Sequence, residues 1–379
     1  MCRLPDVTMS QLLLFKYRIP FRTPFHNANG IIHNREGFIL GDGNRLWTEI
    51  APLPGFSIED METVRSFLID SHEVIQENFR HKTLDQLIKI GDINPDLSKL
   101  PSVRFGLSML HEQQAALEQE NPLYQYWSGS LADFNVECNA VCGLTHLAEL
   151  MSQIEQFILD GYKTVKVKIT GGGYGASKHI LKICREFPDI NFRFDANGML
   201  SNAGTHNLLR VLQRCRDNGH LKNLEYIEEP LKWNNLQQVC DLRAYGIPIA
   251  ADESARSANQ VRQLSKYNAF DVLVIKPMLF GSFDEFKELL PMDHKIVLSS
   301  SFETAIGRKL LASMALFLNT YNRKAHGLAT GHVLADDIGP GILPDAPVII
   351  QKHEPGAGFT PDFNPISVSS QFIEIDHIV

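Results

Sequence analysis

From about residue 134 onward, short β-branched runs alternate with amphipathic helical stretches, and this alternation limits the fold more than any other feature of the chain. The runs cover 136–141, 164–169, 191–195, 224–228, 248–251, 271–276, 295–298 and 325–328. Helical spacing falls between them, as over 146–159, 205–218 and 304–318. Strand–helix alternation calls for parallel strands joined by right-handed crossovers. Eight such units in about 200 residues fit a closed (β/α) barrel better than an open doubly wound sheet. Residues 1–133 instead mix strand-like segments (12–19, 37–40, 46–50) with helical ones (59–78, 102–118), the pattern of an α+β domain. Residues 341–379 carry two more β-branched stretches, 348–351 and 372–375, expected to pack back on the N-terminal region. The 379 residues thus divide into an α+β capping domain (1–133), a modified TIM (β/α) barrel (134–340) and a returning tail (341–379).

The strand ends carry the chemistry. Successive runs finish in Lys166-Val167-Lys168, Arg193-Phe194-Asp195, Ile227-Glu228-Glu229, Ala251-Asp252-Glu253, Val274-Ile275-Lys276 and Leu298-Ser299-Ser300-Ser301. In a parallel barrel all these ends lie at one mouth, where such folds place their active sites. Lys168, Asp195, Glu228, Asp252 and Lys276 are 27, 33, 24 and 24 residues apart, each step about one strand, one helix and two loops. Asp195, Glu228 and Asp252 therefore come to adjacent positions on the rim. A lone strand-end acid is ordinarily solvated or caps the next helix. Three in register cannot all stay ionised in a dry mouth without a cation. An all-oxygen set with room for water and substrate suits Mg²⁺, or Mn²⁺ in its place.

The lysines flank the acids on the second and sixth strands, opposite one another in a barrel of eight. Lys166 shares the inward face with Lys168. A second ammonium and partial burial both favour the neutral amine at Lys168, a base near neutral pH. Val165, Val167 and Ile169 form the apolar alternate face that must meet helices. Ser299, Ser300 and Ser301 can hydrogen-bond a substrate carboxylate or cap the following helix. Gly171 to Gly175 precede a helix but lack the ending of a P-loop and are read as a βα turn.

These segments, in this order, resemble the muconate-lactonizing subgroup of the enolase superfamily. Two stretches, 49–57 (Glu49-Ile50-Ala51-Pro52-Leu53-Pro54-Gly55-Phe56-Ser57) and 299–307 (Ser299-Ser300-Ser301-Phe302-Glu303-Thr304-Ala305-Ile306-Gly307), resemble o-succinylbenzoate synthases more narrowly, as does His326-Gly327-Leu328-Ala329-Thr330. The resemblance implies a capped barrel and the dehydration of 2-succinyl-6-hydroxy-2,4-cyclohexadiene-1-carboxylate in menaquinone synthesis. It places Mg²⁺ on Asp195, Glu228 and Asp252. It makes Lys168 the residue that takes the α-proton and assists departure of the hydroxyl, and Lys276 the cation that steadies the resulting dienolate. It sets Arg193 just inside the metal site, as a substrate-binding residue. The same two lysines would serve an N-acylamino acid racemase or a dipeptide epimerase, and a non-catalytic metal-binding barrel is the alternative of another class.

Other classes are disfavoured. A net charge of −8 argues against a nucleic-acid surface. No apolar run approaches the ~20 residues that span a bilayer, and 12–15 is too short for a signal-peptide core, so the cytoplasm is expected, and the resemblance implies a small-molecule carboxylate substrate. The six cysteines show no metal-binding spacing, and none of the 14 histidines is assigned to catalysis. Nothing in the sequence specifies an oligomeric state.

Overall fold

The structure is a computed structural model that describes residues 11–27, 30–78, 86, 95–130, 134–143, 145–170, 173–233, 236–339, 346–359 and 374–378. The Gly171 and Gly172 positions of the glycine-rich turn, and Cys2, lie outside the described residues. Among the described residues no helix is long and apolar enough to cross a membrane.

The N-terminal part is an antiparallel sheet of β1 (Leu13–Asn27), β2 (Gly30–Gly41) and β3 (Trp47–Ile50), with β13 (Glu374–His377) added beside β1. Phe15, Tyr17 and Ile19 are buried while Lys16 and Arg18 reach Glu36, as the period of two requires. The helix expected over 59–78 is two, Met61–Asp70 and His72–Asn78. Asp60 caps the first through the backbone N–H of Thr63, and Ser71 leaves helical geometry to close it.

The barrel sheet contains, in spatial order, β5 (Ala140–Cys142), β6 (Thr164–Lys168), β7 (Asn191–Asp195), β8 (Leu224–Glu228), β9 (Ile249–Ala251), β10 (Val272–Ile275) and β11 (Lys295–Leu298), all parallel. Outward side chains such as Val165, Val167, Phe192, Phe194, Ile227 and Leu273 pack against the helices. Inward ones form a small separate cluster of Tyr226, Ala250, Val272, Val274 and Val297.

Two sequence expectations change here. The run 136–141 is not one strand. β4 (Asn135–Glu137) pairs antiparallel with β12 (Val348–Ile350), whereas β5 joins the barrel. The switch falls at Cys138, whose N–H is taken by the Pro347 carbonyl, while the next N–H, of Asn139, goes to His326. The run 325–328 is likewise not a regular strand but two parallel bridges, Cys138 to His326 and Ser299 to Gly327. His326 N donates to Glu137 O at 2.7 Å and Gly327 N to Leu298 O at 2.8 Å, so this segment closes the ring between β11 and the first strand.

The helix Ala305–Leu318 is buried along its whole length, between cap and barrel. Its N-terminus is met by the carboxylate of Glu49, from the cap strand β3, which accepts from Thr304 N at 3.0 Å, Thr304 Oγ1 at 2.6 Å and Gly307 N at 3.0 Å. A carboxylate there satisfies orphan N–H groups and the helix dipole together. A Cβ at position 307 would lie 2.6 Å from Glu49 Oε2, so only glycine lets the acid approach.

The seam carries a pH dependence. Burial, with Arg193 adding to it, holds the His326 imidazole down at about 3, and its Nδ1 accepts from Leu298 N at 3.0 Å. An unfolded histidine takes its proton near 6.5. Between those values the unfolded chain binds more protons, so stability rises with pH. In urea unfolding between pH 4.5 and 6.5 this residue adds a positive slope, approaching about 1.4 kcal/mol per pH unit at the acid end, against the opposite slope of buried carboxyls such as Glu229. His326→Gln should remove that positive slope; an unchanged slope would assign it to other groups.

Candidate active site

The register of the parallel strands fixes the height of each charged group. Lys168 stands opposite Asp195, Asp195 opposite Glu228, and Glu228 opposite Ala250, two residues before Asp252. In the closed ring β6 and β10 are four positions apart, half a turn, which sets Lys168 and Lys276 on opposite sides. Lys166, Lys168, Asp195, Glu228, Asp252, Lys276, Ser299, Ser300 and Ser301 all line one cavity of about 280 Å³. Arg193 does not line it. Its buried guanidinium is committed to Glu225 at 2.6 Å and to Asn139 Oδ1 at 2.9 Å, and lies over the Tyr226 ring. The expectation of a direct substrate contact is corrected accordingly: Arg193 precedes Asp195 by two and faces inward, but lower, where Glu225 claims it.

The charges are unevenly satisfied. Lys166 Nζ sits 2.9 Å from Asp195 and 2.6 Å from Glu228, and Lys276 pairs with Asp252. Burial opposes the Lys166 charge, but Asp195, Glu228 and Asp252 outweigh it and lift its pKa. The same balance, with Asp252 and Glu253, raises that of Lys276. Burial and the neighbouring Asp195 push the Glu228 carboxyl well above the carboxylate range, against the pull of Lys166. For Asp252, burial is outweighed by Lys276 and Lys166, and its pKa is held down. Lys168 has no ion-pair or hydrogen-bond partner among the described residues.

A second layer holds the acids. Asn197 donates from its backbone to Asp195 at 2.9 Å and from its amide to Glu253 at 3.1 Å. Glu229 accepts from Asp252 N at 3.0 Å and from the Ser254 hydroxyl. Burial, opposed by that hydroxyl, pushes its carboxyl up to about 8.

Among the described residues no three acidic, histidine or cysteine side chains are drawn together tightly enough to enclose an ion. Two ammoniums stand among the acids instead. The donor set nonetheless fits a hard divalent cation. It offers three carboxylates from consecutive strands, and Glu228 Oε2 is buried with no hydrogen-bond donor in reach.

The apolar wall is the part sequence reasoning missed. Phe25, Leu53 and Phe56 come down from the cap, and Phe302 comes up from the barrel. The Phe25 ring is 4.9 Å from that of Phe302 and 6.0 Å from that of Phe56. Phe56 and Phe302 stand inside the stretches that carry the finer resemblance, whereas Phe25 lies in a long strand with no local signature. The serines divide in role. The Ser300 and Ser301 hydroxyls both donate to Glu303, and Thr330 Oγ1 donates to Ser300 Oγ at 2.8 Å. Ser299 alone keeps a hydroxyl with no described partner.

Known proteins are similar in the same regions. A family model described as "Enolase C-terminal domain-like" matches residues 149–364, and one described as "MenC, N-terminal domain" matches residues 9–114. The o-succinylbenzoate synthase of Edwardsiella ictaluri is 30% identical over 324 residues, covering 82% of this chain and 87% of that protein. A dipeptide epimerase from Enterococcus faecalis, solved with Mg and the dipeptide L-Leu-L-Tyr, superimposes with a TM-score of 0.77 at 19% identity, covering 93% of this chain and 99% of that one. An N-succinyl Arg/Lys racemase from Bacillus cereus gives a TM-score of 0.76 at 20% identity, covering 97% and 100%. These two structures speak for the fold. With one family model spanning the barrel, another the cap, and a relative alike along most of its length, the chain belongs to the o-succinylbenzoate synthase family of lyases within the enolase superfamily.

Proposed function

We propose that this enzyme converts 2-succinyl-6-hydroxy-2,4-cyclohexadiene-1-carboxylate to o-succinylbenzoate, with Mg²⁺, as a cytoplasmic step of menaquinone synthesis. The observation that supports this most is the inequality of the three lysines. Lys166 and Lys276 are held by carboxylates, and Lys168, half a turn from Lys276 across the same cavity, has no described partner. A base must have its nitrogen uncommitted when substrate arrives.

Asp195, Glu228 and Asp252 would hold Mg²⁺, which when bound offsets the negative charge that builds on the substrate carboxylate as its α-proton leaves. Lys168 Nζ takes that proton. The C–O bond to the ring hydroxyl then breaks, and Lys168 returns the proton to the departing oxygen, so that one water leaves and no redox partner is needed. Lys276 remains an ammonium on the opposite face, where a cation against a π-surface is favourable. The ring of the product is aromatic, which makes the step downhill. Phe25, Phe56 and Phe302 supply an apolar surface for the ring and exclude water, and Ser299 offers a hydroxyl to a carboxylate.

The Edwardsiella relative favours dehydration. The likeness to racemase and epimerase structures makes 1,1-proton transfer the rival use of the same lysines, and the two separate by assay. The purified protein with Mg²⁺ is expected to consume the cyclohexadiene with loss of its diene absorbance, to stop on chelation, and to recover when Mg²⁺ is restored. Absence of turnover beside brisk racemisation of N-succinylamino acids would reverse the assignment.

Lys168→Ala is expected to leave the circular dichroism spectrum and Mg²⁺ binding unchanged while lowering kcat by roughly 10²–10⁴, the range for loss of a general base. Activity that survives this change places the base elsewhere.

A further inference from the structure

Cap and barrel each contribute a wall to the cavity, and one buried side chain joins the two. Arg35, on β2, is 1% exposed. Its Nη2 donates to the carbonyl of Ala51 at 2.6 Å and its Nη1 to that of Pro52 at 2.7 Å. Those carbonyls open the cap loop that carries Phe56 to the cavity. Its Nε points the other way, to the carbonyl of Phe302 at 3.1 Å, on the loop after β11.

Phe302 needs to be held. Its φ of 66° lies in the left-handed region, which a bulky side chain adopts only under constraint. Two hydrogen bonds impose it: Phe302 N donates to Ser300 Oγ at 3.0 Å, and Phe302 O accepts from Arg35. With the backbone so fixed, the ring meets Phe25 edge-on. Relaxation to negative φ would redirect the Cα–Cβ bond and take the ring out of the wall. A guanidinium suits the task, since it presents five donors in a rigid plane and stays charged at any working pH. A lysine offers a single ammonium that cannot span carbonyls on two loops.

We infer that Arg35 is a positioning residue: it locks the cap loop 51–57 to the barrel loop 300–304, so that the apolar wall of Phe25, Phe56 and Phe302 stands ready for the non-carboxylate part of an organic acid. The inference rests on this cavity being the substrate site. It makes the wall a joint product of cap and barrel, so the pocket's shape cannot be altered from one side alone.

The test uses the full-length enzyme and Arg35→Met, Arg35→Lys and Phe302→Gly. Hydrogen exchange, read without substrate, should show both loops losing protection together in the Arg35 variants, by about tenfold or more, while the helix Ala305–Leu318 keeps its own. Loosening of one loop without the other overturns the lock. In steady-state kinetics KM should rise about tenfold with kcat within about threefold, the signature of lost binding that substrate and transition state share. A merely destabilised protein would lose kcat with its folded fraction at constant KM, and that result also overturns the inference. Phe302→Gly accepts φ 66° without strain and keeps Arg35 in place. It should reproduce the rise in KM with both loops still protected from exchange, and Arg35→Lys carries the test of the lock if Arg35→Met does not fold; an unchanged KM overturns the role of the wall. Because exchange needs no turnover, a wild type inactive on the cyclohexadiene would count against the proposed reaction and not against the lock.

Discussion

Parallel strands hold their side chains at a common height, and in this barrel that register decides where charge accumulates. Lys168, Asp195 and Glu228 stand level on β6, β7 and β8 because their backbones pair residue for residue. Period-two alternation then does the sorting. Val165, Val167, Phe194 and Ile227 face outward to the helices, while the lysines and acids between them have nowhere to point but inward. A slip of one residue in any pairing would exchange the two faces, burying a lysine among helices and exposing a phenylalanine to the mouth. The apolar packing outside the barrel and the polar site inside it are therefore one constraint seen from two sides.

Three carboxylates so placed are in electrostatic debt, and the structure shows how far its own cations relieve it. Lys166 bridges Asp195 and Glu228, and Lys276 answers Asp252. Two positive charges against three negative leave Glu228 as the weak point, with one oxygen buried and unmet and its carboxyl driven toward the neutral form. The site is thus arranged to receive more positive charge at Glu228. Lys168 stands apart from this exchange, its amine left without a described partner.

The charged rim could be read from the sequence because strand ends and their spacing are local facts. Asp195, Glu228, Asp252 and the lysines needed only the strand–helix period to be brought together. What escaped was set by tertiary context. Arg193 has the same inward parity as Asp195, but parity gives no depth, and Glu225 and Asn139 hold it below the cavity. The closing segment at 326–327 makes two bridges where a strand was expected, since His326 and Gly327 bond to different neighbours on either side. Phe25 reaches the site only because the cap folds over the mouth, and no short-range pattern encodes that. Ser300 and Ser301 looked like substrate ligands because nothing in the sequence says that Glu303 turns back to take their hydroxyls.

The stretches 49–57 and 299–307, some 250 residues apart, carry the finer resemblance in the sequence, and they are one object in space. Glu49 leaves the end of β3 and is buried at the N-terminus of the helix that 299–307 begins, where Tyr17 also donates to it. Gly307 is a glycine so that this acid can come close, and Arg35 ties the chain that follows Glu49 to the carbonyl of Phe302. To separate cap from barrel would expose or strand a buried carboxylate, several backbone N–H groups and a guanidinium together, a penalty far above that of parting two apolar surfaces of the same size. The cap is for this reason part of the active-site scaffold. A change that suits the pocket to another acid must satisfy the polar clasp behind Phe302 as well as the contacts in front of it.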